Sequence, residues 1–142
     1  MKKCSKQEIR WTPRRDPYER AVAAFSASFM SDAKWRKALG AIADAGLGLR
    51  WATWKFIDED RLYDWGVPTR RDLLPTGLAD GRFQPEEYRW IEWIRFPRSG
   101  PPTGDGDPVA QDLDGLKRVL AAIGHFRIEE DERGLTLFGY GR

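Results

Sequence analysis

Apolar positions along the chain recur at three or four residues in some stretches and at two in others, and each spacing predicts a different element. Tyr18, Ala21, Val22, Phe25 and Phe29 share one face of a helix that opens at Pro17, whose fixed φ suits a first turn. Ser31 and Asp32 offer side-chain oxygens as caps for a second helix. Trp35, Ala38, Leu39 and Ile42 form its stripe, and Gly46 supplies its stop. The rhythm then shortens. Leu49 to Ile57 is rich in Trp, Thr, Phe and Ile, which predicts a strand, and Arg61 to Trp65 follows the acidic turn Asp58-Glu59-Asp60 as its hairpin partner.

Tyr88 to Phe96 reads as the clearest strand, with Tyr88, Trp90, Ile94 and Phe96 on one face and Arg89, Ile91, Trp93 and Arg95 on the other. Glu92 interrupts the first face. Leu113, Leu116, Leu120 and Ile123 then predict a third helix closed by Gly124. Phe126 and Ile128, followed by Leu135, Leu137 and Phe138, flank the turn-like Asp131 to Gly134 and predict a terminal hairpin.

The intervening stretches carry breakers. Val67 to Glu87 contains Pro68, Pro75, Pro85, Gly77 and Gly81, which leaves room for one helical turn at Arg70 to Leu74. Pro97 to Pro108 reads as a surface loop. Residues 1–16 show no sustained periodicity and read as a flexible basic arm, leaving 17–142 as a single domain. The expected order is ααβββαββ: an α+β fold whose antiparallel sheet of about five strands has helices packed mainly on one face. On the uncovered face, Trp54 and Trp93 are expected beside Arg50, Arg89 and Arg95.

Composition narrows the chemistry. With 142 residues, 41% hydrophobic and 18 aromatic side chains, the chain can build one core. It holds one cysteine and one histidine, Cys4 and His125, so a thiolate zinc site or a paired-histidine constellation has no donors. No apolar run approaches a membrane span and no leader-like stretch follows the basic start, pointing to a soluble cytoplasmic protein without membrane attachment. Charge is uneven: residues 1–40 carry ten Lys or Arg against four Asp or Glu, and the rest carry fourteen against eighteen.

Three candidate chemistries remain. Glu92, set by alternation among apolar neighbours, would have a raised pKa suited to proton transfer, with Asp58 or Asp60 as a second carboxylate for a small hydrolase. The simpler reading is a carboxylate satisfied by an arginine such as Arg50 or Arg61, or lying at the wet rim of the sheet. Lys2, Lys3, Lys6, Arg10, Arg14 and Arg15 form a cationic segment that could follow nucleic acid. Trp54, Trp93, Arg50, Arg89 and Arg95, with Asp58, Glu59 and Asp60 at the sheet's end, combine residue types enriched at protein interfaces. His125 reads as a helix C-terminal histidine, and Asp105-Gly-Asp107 as too short a fragment for a calcium loop. No cofactor-binding signature and no catalytic set is expected.

The run Glu86-Glu87-Tyr88-Arg89-Trp90-Ile91-Glu92-Trp93-Ile94, the proline-rich loop after it, the helix from Asp112 to Ile123 and the ending Leu137-Phe138-Gly139-Tyr140 resemble small bacterial domains of the immunity-protein type. That resemblance implies a non-enzymatic inhibitor whose partner is a protein, a toxin domain. It supplies no functional residues of its own. The leading expectation is therefore a protein-binding module, with nucleic-acid binding and hydrolysis as alternatives.

Overall fold

The computed structural model describes residues 18–78, 86–102, 104 and 106–142. The expected arm, with Cys4 and its lysines and arginines, lies outside them, as do Pro17, Gly81, Pro85 and Asp105. The described residues form helices α1 (Tyr18–Val22), α2 (Asp32–Asp44) and α3 (Leu113–Ile123). Their principal strands are β2 (Thr53–Phe56), β3 (Leu62–Asp64), β6 (Ile91–Pro97), β9 (Ile128–Glu130) and β10 (Gly134–Phe138). These make one five-stranded antiparallel sheet in the order β3-β2-β6-β10-β9. Beyond the expected elements, two-residue strands pair as β1 (Ala27–Ser28) with β11 (Tyr140–Gly141), β4 (Gly77–Leu78) with β5 (Glu86–Glu87), and β7 (Ser99–Gly100) with β8 (Val109–Ala110).

Helix α2 begins where Ser31 accepts from the Lys34 amide at 3.1 Å, and past its C-cap the chain turns at Gly46 with φ +66. Helix α3 begins where Asp112 accepts from the Gly115 amide at 2.8 Å. Trp35, Ala38, Leu39 and Ile42 of α2 and Leu113, Leu116 and Leu120 of α3 join one buried cluster with Trp54, Phe56, Tyr63, Ile94, Phe96, Leu135 and Leu137 from the sheet. Lys117 of α3 reaches Glu130 on the edge strand β9 at 2.7 Å.

The first helix is shorter than its apolar spacing predicts. It ends at Val22, and the chain then pairs with the far end of the molecule: the Ser26 amide donates to Gly141 O at 2.9 Å and the Phe29 amide to Gly139 O at 2.8 Å. Ser26 and Ser28 are weak helix formers, and a strand partner takes the donors that a longer helix would use internally. Phe25 keeps its contact with the core by another route, 5.5 Å from the Tyr140 ring.

The first sheet strand is also shorter than expected. The side chain of Gln111, 9% exposed, replaces the ladder for Arg50 and Trp51. Its carbonyl accepts from both amides, at 2.8 and 3.0 Å, and its amide donates to Trp51 O at 3.1 Å and Pro97 O at 2.8 Å. One side chain thus ties three chain segments together with every polar valence it has.

Tyr88 to Trp90 forms a 3₁₀ turn rather than the start of the strand. Its end leads into a register shift, with Lys55 opposite Trp93 but Phe56 opposite Ile91, so Glu92 is the extra residue of a β-bulge. The bulge moves Ile91 to the core side. Glu92 meets Lys55 instead of Tyr88, Trp90, Ile94 and Phe96, correcting the apolar setting that strict alternation predicts for it.

Candidate functional site

Residues of the five-stranded sheet that point away from the Trp54 side form two rows across the strands. Asp64, Thr53, Arg95, Thr136 and Glu129 make the first, in register. Leu62, Lys55, Trp93 and Phe138 make the second. Asp64, Leu62 and Glu129 are exposed and the others half-buried. At the centre, the Arg95 guanidinium lies 4.8 Å from the centroid of the Trp93 ring, and Phe138 is the cross-strand partner of Trp93. Arg95 also faces the β9–β10 turn, where its charge helps hold the Asp131 carboxyl below its ordinary value, after the larger effects of the Arg133 and Gly134 amides donating to it.

One end of this face is closed by the chain termini of the described domain. Ala27 and Phe29 from the first segment and Tyr140, Gly141 and Arg142 from the last line a cleft of about 520 Å³ with Glu92, Arg127, Glu129 and Phe138. Glu92 has one carboxylate oxygen 2.7 Å from Lys55 Nζ, the two side chains 11% and 13% exposed.

The expected site residues scatter. Trp93 and Arg95 share the half-exposed face. Trp54 does not: it is fully buried, stacks at 6.4 Å on Phe56, and donates its indole N–H to Gly66 O at 2.9 Å. The physical reason is strand parity, since Trp54 and Trp93 stand on neighbouring strands one register position apart and therefore on opposite faces. Arg50 lies beyond the end of β2, 5.9 Å from the Trp51 ring, and lines a different cleft. Arg89 sits on the 3₁₀ turn, 4.1 Å over the Tyr18 ring and 3.3 Å from Glu87.

Asp58, Glu59 and Asp60 occupy the β2–β3 turn, where they line a cleft of about 350 Å³ with Arg20, Lys55 and Arg142, and Glu59 accepts from Tyr63 Oη at 2.9 Å. His125 is exposed just past the C-cap of α3. Thr53, Lys55, Thr136 and Phe138, absent from the expected set, complete the half-exposed face. Lys55 could have been found by counting one residue on from Trp54, and Phe138 by counting one on from Leu137.

A second polar network holds the termini. Tyr140 donates its hydroxyl to Arg89 O at 2.7 Å and lies 2.9 Å from the Tyr18 hydroxyl. Burial, and then the Tyr18 hydroxyl, push the Tyr140 phenol well above its usual range. Burial likewise pushes Tyr88 up to about 12, its hydroxyl donating to Leu74 O at 2.8 Å.

Among the described residues no group of three or more His, Cys, Asp or Glu could hold a metal ion, and no helix is long and apolar enough to cross a membrane. The chain is a mixed α+β protein built on a five-stranded antiparallel sheet with three helices among the described residues. No protein-family model, curated protein or solved structure matches it.

Proposed function

We propose that the chain is a non-enzymatic protein-binding module that docks through the sheet face centred on Trp93 and Arg95. One observation carries this reading: with the core clustered on the Trp54 side, the opposite side presents a tryptophan and a phenylalanine as cross-strand neighbours, ringed by Lys55, Arg95, Asp64 and Glu129. Aromatic anchors inside a charged rim are the anatomy of a binding patch, because the rings supply desolvation and the rim supplies register. Helices covering only the Trp54 side would leave this face for a partner. The immunity-type reading, in which that partner is a toxin domain, draws on the layout of residues 86–140 and on a surface carrying both signs of charge. The acidic turn at Asp58 to Asp60 then acts on the encounter with a basic partner rather than as the central contact.

A hydrolase using Glu92 is the weaker reading. That carboxylate borders a cleft, but one of its oxygens is engaged by the Lys55 ammonium at 2.7 Å, and among the described residues no second acidic side chain lines the cleft except Glu129 on the exposed edge strand. Nucleic-acid binding by the basic arm rests on residues outside those described.

The test is affinity capture from the source cell with the wild-type chain and a Trp93→Ala/Arg95→Glu variant, each capture followed by titration calorimetry with the recovered partner. The expected result is a stoichiometric partner whose affinity falls at least about a hundredfold in the variant. A partner held equally well by the variant, at matched folding by circular dichroism, overturns the assignment.

A further inference from the structure

At the Thr53 and Asp64 end of the Trp93 face, where the chain enters β2, lies a groove of about 540 Å³ between the Arg50–Thr53 segment, the Asp64–Gly66 segment and the β7 hairpin. Trp51 lies with its ring against Gly100, so closely that a Cβ there would overlap the indole, and Gln111 pins the Trp51 backbone on both sides. Trp65, 3% exposed, and the rings of Pro97 and Pro101 supply further apolar wall.

The polar groups on the groove are unequal in their satisfaction. The Asp64 carboxylate accepts from Thr53 Oγ1 at 2.9 Å. Arg50 makes no ion pair among the described residues, its guanidinium resting only near the Trp51 ring, and the Trp51 indole N–H donates to no described acceptor. The groove is thus lined by an unpaired cation and by an indole whose N–H has no described acceptor, beside apolar side chains.

We infer that this groove binds an extended, proline-containing peptide segment carrying an acidic side chain. A polyproline II chain has no internal hydrogen bonds, so its carbonyls need donors such as an indole N–H, and its proline rings pack on aromatic and proline surfaces at little entropic cost. Arg50 meets the carboxylate, in a planar pairing that lysine would not reproduce. A groove of this volume takes a few residues of such a chain, since three span about 9 Å. The groove shares Thr53 and Asp64 with the edge of the docking face, while Arg50 and Trp51, which meet the peptide, lie off that face.

The experiment titrates ¹⁵N-labelled protein with three acetylated decapeptides: one alternating Pro-Pro-Glu, the same with Ala for Pro, and the same with Lys for Glu. The expected result is saturable movement of the Trp51 indole signal with the first peptide and binding at least about tenfold weaker with each of the others. Arg50→Ala weakens the first peptide about tenfold, and Arg50→Glu, which leaves the walls intact, reverses the preference toward the lysine peptide. Absence of saturable binding, equal binding of the alanine peptide, an unchanged preference in Arg50→Glu, or shifts confined to Trp93 each overturn the proposal.

Discussion

Lys55 and Glu92 form an ion pair of 2.7 Å across a β-bulge, and the ammonium also donates to Phe56 O at 3.1 Å. The bulge is what lets the pair form. Without it Glu92 would alternate onto the core side, where an unpaired carboxylate costs several kcal/mol. Because both side chains are nearly buried, Glu92→Ala leaves the Lys55 charge without its counterion and is expected to cost about 3 kcal/mol in urea denaturation. Lys55→Met with Glu92→Leu removes both charges and should return to within about 1 kcal/mol of the wild type. A single substitution as mild as the double one would show that the pair is not holding the bulge.

Gln111 yields a larger expectation than its single amide suggests. Gln111→Ala strips partners from the Arg50 and Trp51 amides and from the Trp51 and Pro97 carbonyls together. Allowing for water entering the gap, the loss should be about 3 kcal/mol, seen as a fall in Tm of about 10 °C. Gln111→Glu keeps the one oxygen that accepts from the Arg50 and Trp51 amides, but puts a second acceptor where an N–H donated to the carbonyls of Trp51 and Pro97. It should be no more stable than the alanine variant, which calorimetry can decide.

The buried phenols predict the alkaline limb of stability. An unfolded tyrosine ionises near pH 10, whereas Tyr88 is held up to about 12 and Tyr140 is raised as well. Below about pH 10 both states keep these protons and the phenols add no pH dependence. Above it the unfolded chain loses them first, so unfolding releases protons and stability falls as pH rises toward 12. Urea midpoints measured from about pH 9 to 11.5 should decline, and Tyr88→Phe should decline less steeply from a lower start, since Leu74 O loses its donor. A wild-type profile flat across that range would contradict the shifts.

The elements legible in the sequence are those with strong local signals. Ser31 marks a helix start through its side-chain cap, the leucines of α3 mark its buried stripe, and Asp131 to Gly134 marks the last hairpin turn. What was illegible depends on partners distant in the chain. The apolar spacing of residues 18–29 is compatible with a helix, and only pairing with Gly139 and Gly141 converts its second half to extended chain. Gln111 meets Arg50 and Trp51 across some sixty residues, so no window of sequence shows why β2 starts late.

The candidate face was half legible for a related reason. Alternation correctly put Trp93 and Arg95 on one side of β6, but assigning Trp54 to that side requires the register between two strands, which the period within either strand does not contain.

That parity difference separates two tryptophans that composition alone makes equivalent. Trp54 is fully enclosed by Phe56 and Trp65, with its indole N–H bonded to Gly66 O. Trp54→Ala therefore leaves both a large cavity and an orphaned carbonyl, and should cost about 4 kcal/mol. Trp93 is half-buried beneath Arg95, so Trp93→Ala removes a cation–π contact and part of an apolar surface that water already reaches, for about 1 kcal/mol or less. Equilibrium denaturation of both variants measures the gap directly. If Trp93 proves as costly as Trp54, its face is part of the core, and a docking patch centred on it has no physical basis.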